Sequence, residues 1–185
     1  GEPTKSIASY YTISNFNDVI GILFNNADKN ILRYESITIS NSNNANGIYL
    51  NNSKQNLIQT NLNGGTLKIN NALKAELLKL SNSSNNTITV SLTSNQVENS
   101  TSILVENNSN FNNFIKISDY SNVLTTPIII DNSNNNIITA SIFKYQQLEG
   151  FAIELNEAVG NRIENNTILT KNLDGDKCIL QENIN

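Results

Sequence analysis

Short apolar segments of one shape recur along the chain. Each is an apolar residue, a variable one and a second apolar one, followed by two polar positions. Ile48-Tyr49-Leu50-Asn51-Asn52, Leu78-Lys79-Leu80-Ser81-Asn82 and Ile103-Leu104-Val105-Glu106-Asn107 open the series. Ile128-Ile129-Ile130-Asp131-Asn132, Ile153-Glu154-Leu155-Asn156-Glu157 and Cys178-Ile179-Leu180-Gln181-Glu182 continue it. The first residues stand at 48, 78, 103, 128, 153 and 178, one step of 30 and then four of 25. Period-two alternation predicts a strand whose first and third residues turn inward. A second series begins with Asn56-Leu57-Ile58, Asn86-Thr87-Ile88, Asn113-Phe114-Ile115, Asn136-Ile137-Ile138 and Asn161-Arg162-Ile163, with Asn30-Ile31-Leu32 before it. A weaker third segment lies between them, at Leu67-Lys68-Ile69 and Val123-Leu124.

Three short strands in each period of about 25 residues predict an all-β solenoid, a three-sided right-handed parallel β-helix. Propeller blades need a longer repeat, and the spacing of leucine-rich repeats is missing. Coils in such a stack lie ~4.8 Å apart, so equivalent residues touch. Ile48, Leu78, Ile103, Ile128, Ile153 and Cys178 are expected in one inward column. Leu50, Leu80, Val105, Ile130, Leu155 and Leu180 are expected in a second. Asn56, Asn86, Asn113, Asn136 and Asn161 are expected to form a hydrogen-bonded amide ladder at a corner.

The ends and the insertion are read from local signals. Ser14-Asn15-Phe16 before the apolar run 18–24 predicts a short helix, N-capped by Ser14 or Asn15, that covers the first coil. A strand at 22–24 is the alternative. The chain then divides into an N-terminal cap segment, 1–29, and a β-helix, 30–185. The 30-residue step places an insertion or long turn near 63–73. The tail 181–185 offers little cap, so the coils are expected to continue in a longer protein.

Composition narrows the function. Asn supplies 38 of the 185 residues, while charged residues make up only 15%. Asn favours turns and both donates and accepts hydrogen bonds, so the chain is either turn-rich or disordered. The recurrent apolar triplets argue against disorder. A net charge of −4 with no basic cluster excludes a nucleic-acid partner. No apolar run is long enough for membrane insertion by a helix. There is no His and a single Cys, which removes the commonest general base and any internal disulfide.

The segments Gly47-Ile48-Tyr49-Leu50-Asn51-Asn52-Ser53-Lys54-Gln55-Asn56-Leu57-Ile58 and Asn161-Arg162-Ile163-Glu164-Asn165-Asn166-Thr167-Ile168 resemble the repeat of right-handed parallel β-helix proteins. That group includes carbohydrate-binding and sugar-hydrolase repeats, NosD-type periplasmic proteins, pectate-lyase-like enzymes and surface adhesins. The resemblance spans roughly residues 30 to 182. It implies an extracellular or cell-surface protein that handles polysaccharide or serves as an adhesive stalk. One scaffold carries many activities, so the site must decide.

The candidate chemistry is sparse. Glu106 and Asp131 occupy equivalent positions in adjacent coils and form the candidate catalytic pair, at the ~5 Å separation of a retaining glycosidase. They are also candidate calcium ligands, together with Asp174 and Asp176, so calcium is the one cofactor the sequence admits. Each has a plainer reading as a turn residue. Glu157 and Glu182 form a similar pair one position on. Arg33 and Arg162 lie too far apart to build a lyase-type site. Cys178 reads as a small buried hydrophobe. Tyr49 points outward and, with Glu154, is a candidate sugar contact. Tyr34, Tyr120, Phe143 and Tyr145 have no predictable direction. The sequons at Asn51, Asn99 and Asn165 are those expected by chance in so Asn-rich a chain. The leading expectation is a non-catalytic adhesion or glycan-binding module whose partner is a polysaccharide, a surface glycan or a protein. A polysaccharide-active enzyme and a structural stalk are the alternatives.

Overall fold

The computed structural model describes residues 5–60, 65–122, 127–145, 151–170 and 179–182. All regular elements among them are β-strands, joined in one sheet that winds through about six turns. The fold is a right-handed parallel β-helix. The first coil is β1 (Lys5–Ser14) and β2 (Asp18–Asn25), and the second is β3 (Ile31–Asn51). The third is β4 (Leu57–Thr60) and β5 (Thr66–Ser81), and the fourth is β6 (Thr87–Thr89) and β7 (Ser91–Glu106). Next come β8 (Asn113–Ile115), β9 (Ser118–Ser121) and β10 (Ile128–Asp131), then β11 (Ile137–Thr139), β12 (Ile142–Tyr145) and β13 (Ile153–Asn156). β14 (Arg162–Glu164), β15 (Thr167–Thr170) and β16 (Ile179–Glu182) end the described stack.

Three short strands per coil appear only from β8 onward. In the second coil a single 21-residue strand, Ile31–Asn51, runs through the corner at Asn41 without a break. Its corner at Asn41 stays paired on both sides, Ser40 with Asn70 and Ser42 with Ala72, so the strand is not interrupted there.

The N-terminal helix does not form. The run 18–25 is β2, in register with β3 from Asp18–Asn44 to Asn25–Asn51. Val19 and Phe24 are buried while Ile20 and Leu23 are exposed, a strand-like use of a β-branched run. Residues of the expected 1–29 cap therefore belong to the same sheet as the coils. The offset between paired residues rises from 26 at Tyr34–Thr60 to 30 at Ser36–Thr66. The four extra residues thus fall between Thr60 and Thr66, and 66–73, expected within the insertion, is regular strand.

The two inward columns pack as the alternation predicts. Ile48, Leu78, Ile103, Ile128 and Ile153 are fully buried, as are Leu50, Leu80, Val105 and Ile130. The last coil departs from the constant step. Ile179, not Cys178, pairs with Ile153, and Leu180 lies opposite the outward Glu154. Thr167 still pairs with Ile142 at a step of 25, so one extra residue precedes β16. Glu182 consequently pairs with Asn156 rather than with Glu157. Cys178, Asp174, Asp176, Val123 and Leu124 lie outside the described residues.

The amide ladder forms with one change of member. Asn112, not Asn113, occupies the fourth rung, and Asn113 begins β8 opposite Thr87 and Ile137. Each rung's backbone N–H donates to the next Asn Oδ1, at 2.9 Å for Asn30–Asn56, 2.9 Å for Asn56–Asn86, 3.0 Å for Asn86–Asn112, 2.9 Å for Asn112–Asn136 and 2.8 Å for Asn136–Asn161. The amide nitrogen then donates to a carbonyl of the preceding turn, as from Asn86 to Ser53 and from Asn112 to Ser83. Beside it runs a buried serine column in which the N–H of Ser53, Ser83 and Ser109 donates to Ser83, Ser109 and Ser133 Oγ. These contacts supply partners for the turn's backbone groups, which could not be buried otherwise.

Asn has a second use at the corners. Of the 19 non-glycine residues with positive φ among the described residues, 12 are Asn, a residue that tolerates the left-handed region. The high Asn content is therefore accounted for twice, by ladders inside the turn and by left-handed corners outside it.

Candidate functional site

The side of the stack formed by β2 and the final parts of β3, β5 and β7 is not flat. Leu77 and Leu78 are successive residues and both are fully buried, which a regular strand cannot achieve because neighbours point to opposite faces. The chain bends there. Asn46–Glu76–Thr101 and Ile48–Leu78–Ile103 remain in register on either side of the bend. Gly47 permits the close approach, because a Cβ at that position would lie 2.6 Å from the Leu77 carbonyl and 2.5 Å from Leu67 Cδ2. Gly47→Ala is expected to destabilise the fold by about 2 kcal/mol through overpacking, measured by denaturant unfolding. A neutral effect would show that the bend can relax.

The outer surface of the bend encloses a cavity of about 180 Å³ lined by Asn44, Ala45, Asn46, Lys74, Glu76 and Lys79. Glu76 lies at its floor, 6% exposed. Lys74 Nζ is 2.7 Å from Glu76 Oε1, and Lys79 Nζ is 3.0 Å from Oε2. Burial alone would raise the Glu76 pKa, but the hydrogen bonds and charges of the two lysines outweigh it and hold the carboxyl below its ordinary value. Burial likewise opposes the Lys79 charge, and Glu76, with Glu106 at 3.5 Å, more than compensates and raises its pKa. Lys79 Nζ also sits 5.6 Å from the centre of the Tyr49 ring, a cation–π distance. Asn46 Oδ1 is buried with no hydrogen-bond partner in the structure.

Tyr49 therefore joins this groove through Lys79, and it points outward as expected. Glu154 lies in the same outward column, reached through Lys79, Leu104 and Ile129. Four coil steps, roughly 19 Å, separate it from Tyr49, so the two do not meet. Glu106 and Asp131 follow the paired residues Val105 and Ile130, but each is engaged elsewhere. Glu106 reaches back to Lys79, while Asp131 Oδ1 accepts from Asn156 Nδ2 at 2.9 Å. No group of three or more Asp, Glu, His or Cys is arranged to hold a metal ion among the described residues.

No family model matches the chain, and no curated protein or solved structure matches it. The fold and the side-chain geometry are the only guides to function.

The sequence gives no warning of a polar cluster inside the core. Asp119 on β9 is completely buried and stacks between Leu92 on β7 and Phe143 on β12. Ser121 Oγ donates to Asp119 Oδ1 at 2.5 Å. Ser102 and Tyr145 face the carboxyl closely enough to lower its pKa, yet Ser102 Oγ, Asp119 Oδ2 and Tyr145 OH make no well-aligned hydrogen bond. Burial prevails and pushes Asp119 up to about 6. The usable signal was the third strand of this coil. It is Ser118–Ser121, and Asp119 holds its inward position; Val123-Leu124 lies outside the described residues.

Tyr34 and Phe143 are also core residues, whereas Tyr120 is exposed with Lys144 Nζ 5.0 Å from its ring centre.

Proposed function

We propose that this chain is a non-catalytic glycan-binding or adhesion module of an extracellular or cell-surface protein, related in design to the carbohydrate-handling β-helix repeats. The observation that carries the reading is the groove at Asn44, Asn46, Lys74, Glu76 and Lys79, flanked by Tyr49. Amides and ammonium groups donate to sugar hydroxyls, and a ring covers apolar C–H faces. Equivalent positions recur every ~4.8 Å along the stack, so an extended polymer lying across the coils meets the groove lengthwise. Glu76 is ionised and held by two lysines, which suits a fixed acceptor better than a proton donor.

The test is a polysaccharide panel, with and without calcium, scored for retained protein and for released sugar ends together. Retention without release is expected, and Tyr49→Ala or Lys74→Ala should weaken it roughly tenfold, the loss of one or two hydrogen-bond or ring contacts. Release that disappears in Glu106→Gln or Asp131→Asn would replace this reading with an enzyme. Absence of both signals would leave a stalk or a protein-binding surface.

A further inference from the structure

Asp119 carries a carboxyl into an interior where the side chains around it are apolar or bear only hydroxyls. An ionised carboxylate is tolerated in such surroundings only when it is paired or coordinated. No lysine or arginine is among the buried side chains of the described residues. Tyr145 is the one ionisable group that bears on Asp119 electrostatically there. The neighbours supplied by the packed strands are hydroxyls or apolar groups: Ser102 and Leu92 from β7, Ser121 from β9 itself, and Tyr145 and Phe143 from β12.

The unpartnered atoms are the second observation. Ser102 Oγ, Asp119 Oδ2 and Tyr145 OH come from three successive coils, and all are buried without an aligned partner. Buried polar atoms are nearly always satisfied, so three together mark a place where something else is bound. A water molecule would serve the hydroxyls but leave the negative charge uncompensated. The oxygen-only set fits a hard cation. A single carboxylate among neutral hydroxyls balances one positive charge, whereas divalent sites ordinarily gather several carboxylates.

We propose that Ser102, Asp119 and Tyr145 form an internal site for a dehydrated monovalent cation of the sodium–potassium class, which clamps three coils of the solenoid together. The site is independent of the outer groove and of any glycan.

The experiment is thermal unfolding of the full chain at pH 7.5 and constant ionic strength, in sodium, potassium, choline or calcium chloride. Sodium or potassium should raise the melting temperature over choline by on the order of 5 °C, increasing with concentration as mass action requires. Asp119→Asn should melt identically in all four salts, and Tyr145→Phe should retain a smaller response than the parent. Equal melting of the parent in sodium, potassium and choline would overturn the proposal. So would a sodium or potassium response that survives in Asp119→Asn, or stabilisation by calcium alone. Tyr145→Phe, which deletes one oxygen only, serves as the probe should Asp119→Asn fail to fold.

Discussion

Asn86→Ala is expected to lower the unfolding free energy by about 3 kcal/mol, one buried donor orphaned and several hydrogen bonds lost. Asn86 Oδ1 accepts both the backbone N–H of Asn56 at 2.9 Å and its amide nitrogen at 3.0 Å, while Asn86 Nδ2 donates to Ser53 O and Asn112 Oδ1. The Asn56 amide nitrogen keeps its bond to Ala27 O, and Ser53 O keeps the N–H of Ser84. The backbone N–H of Asn56 keeps nothing, in a turn where Asn56 is 1% exposed. The melting temperature should fall by roughly 6–12 °C for a chain of this size. Asn113→Ala is the control. It removes an amide one residue away that holds no rung, and should change stability by less than about 0.5 kcal/mol. Equal losses in the two variants would mean that the ladder contributes no more than surface Asn does.

That contrast marks the limit of what one sequence reveals. The inward columns were legible because an alternating strand with a constant step leaves no freedom: once Ile48 and Ile103 are buried, Ile128 and Ile153 must be too. The ladder was legible as a kind of interaction but not to the residue. Asn112-Asn113 offers two amides in succession, and only the register of β8 against β6 and β11 decides between them. The last coil failed for the opposite reason. The 25-residue step fits Cys178, but Ile179, at a step of 26, pairs with Ile153 instead. Turns absorb insertions at little cost, so register read across them drifts. The first coil departs from its local signals because Ser14-Asn15 offers an N-cap before the apolar run of Asp18–Asn25, and pairing with β3 overrides that propensity.

The groove was half legible. Tyr49 could be turned outward by alternation alone. Lys74, Glu76 and Lys79 could not be brought to it, because their proximity depends on a strand bend that makes Leu77 and Leu78 both inward. Alternation cannot anticipate such a bend. The same logic explains Glu106 and Asp131. Stacking made them adjacent, but their partners, Lys79 and Asn156, draw them in opposite directions along the stack.

Asp119→Asn is expected to change the pH dependence of stability rather than stability alone. The folded protein holds the Asp119 proton up to about pH 6, whereas an unfolded chain releases it near ~3.9. Between these values the native state binds more protons than the unfolded one, so stability falls as pH rises. The contribution is fully present below pH ~4 and lost as pH passes through about 6, a change of about 3 kcal/mol from a shift of roughly two pH units. With choline as the only cation, the parent protein should therefore be less stable at pH 7.5 than at pH 4 as far as this group is concerned. The asparagine variant keeps the shape of the side chain and cannot ionise. It should match the parent near pH 4 and exceed it by about 3 kcal/mol at pH 7.5, a gain of roughly 6–12 °C in melting temperature. The measurement is a pair of denaturant-unfolding series across pH 4 to 8. The difference between the two curves isolates Asp119, since every exposed carboxylate titrates alike in both. Parallel curves would show that the Asp119 carboxyl is as well solvated in the fold as in the unfolded chain. A difference that opens between pH 4 and 6.5 and then levels would establish a buried carboxyl whose anion the fold solvates less well than water does.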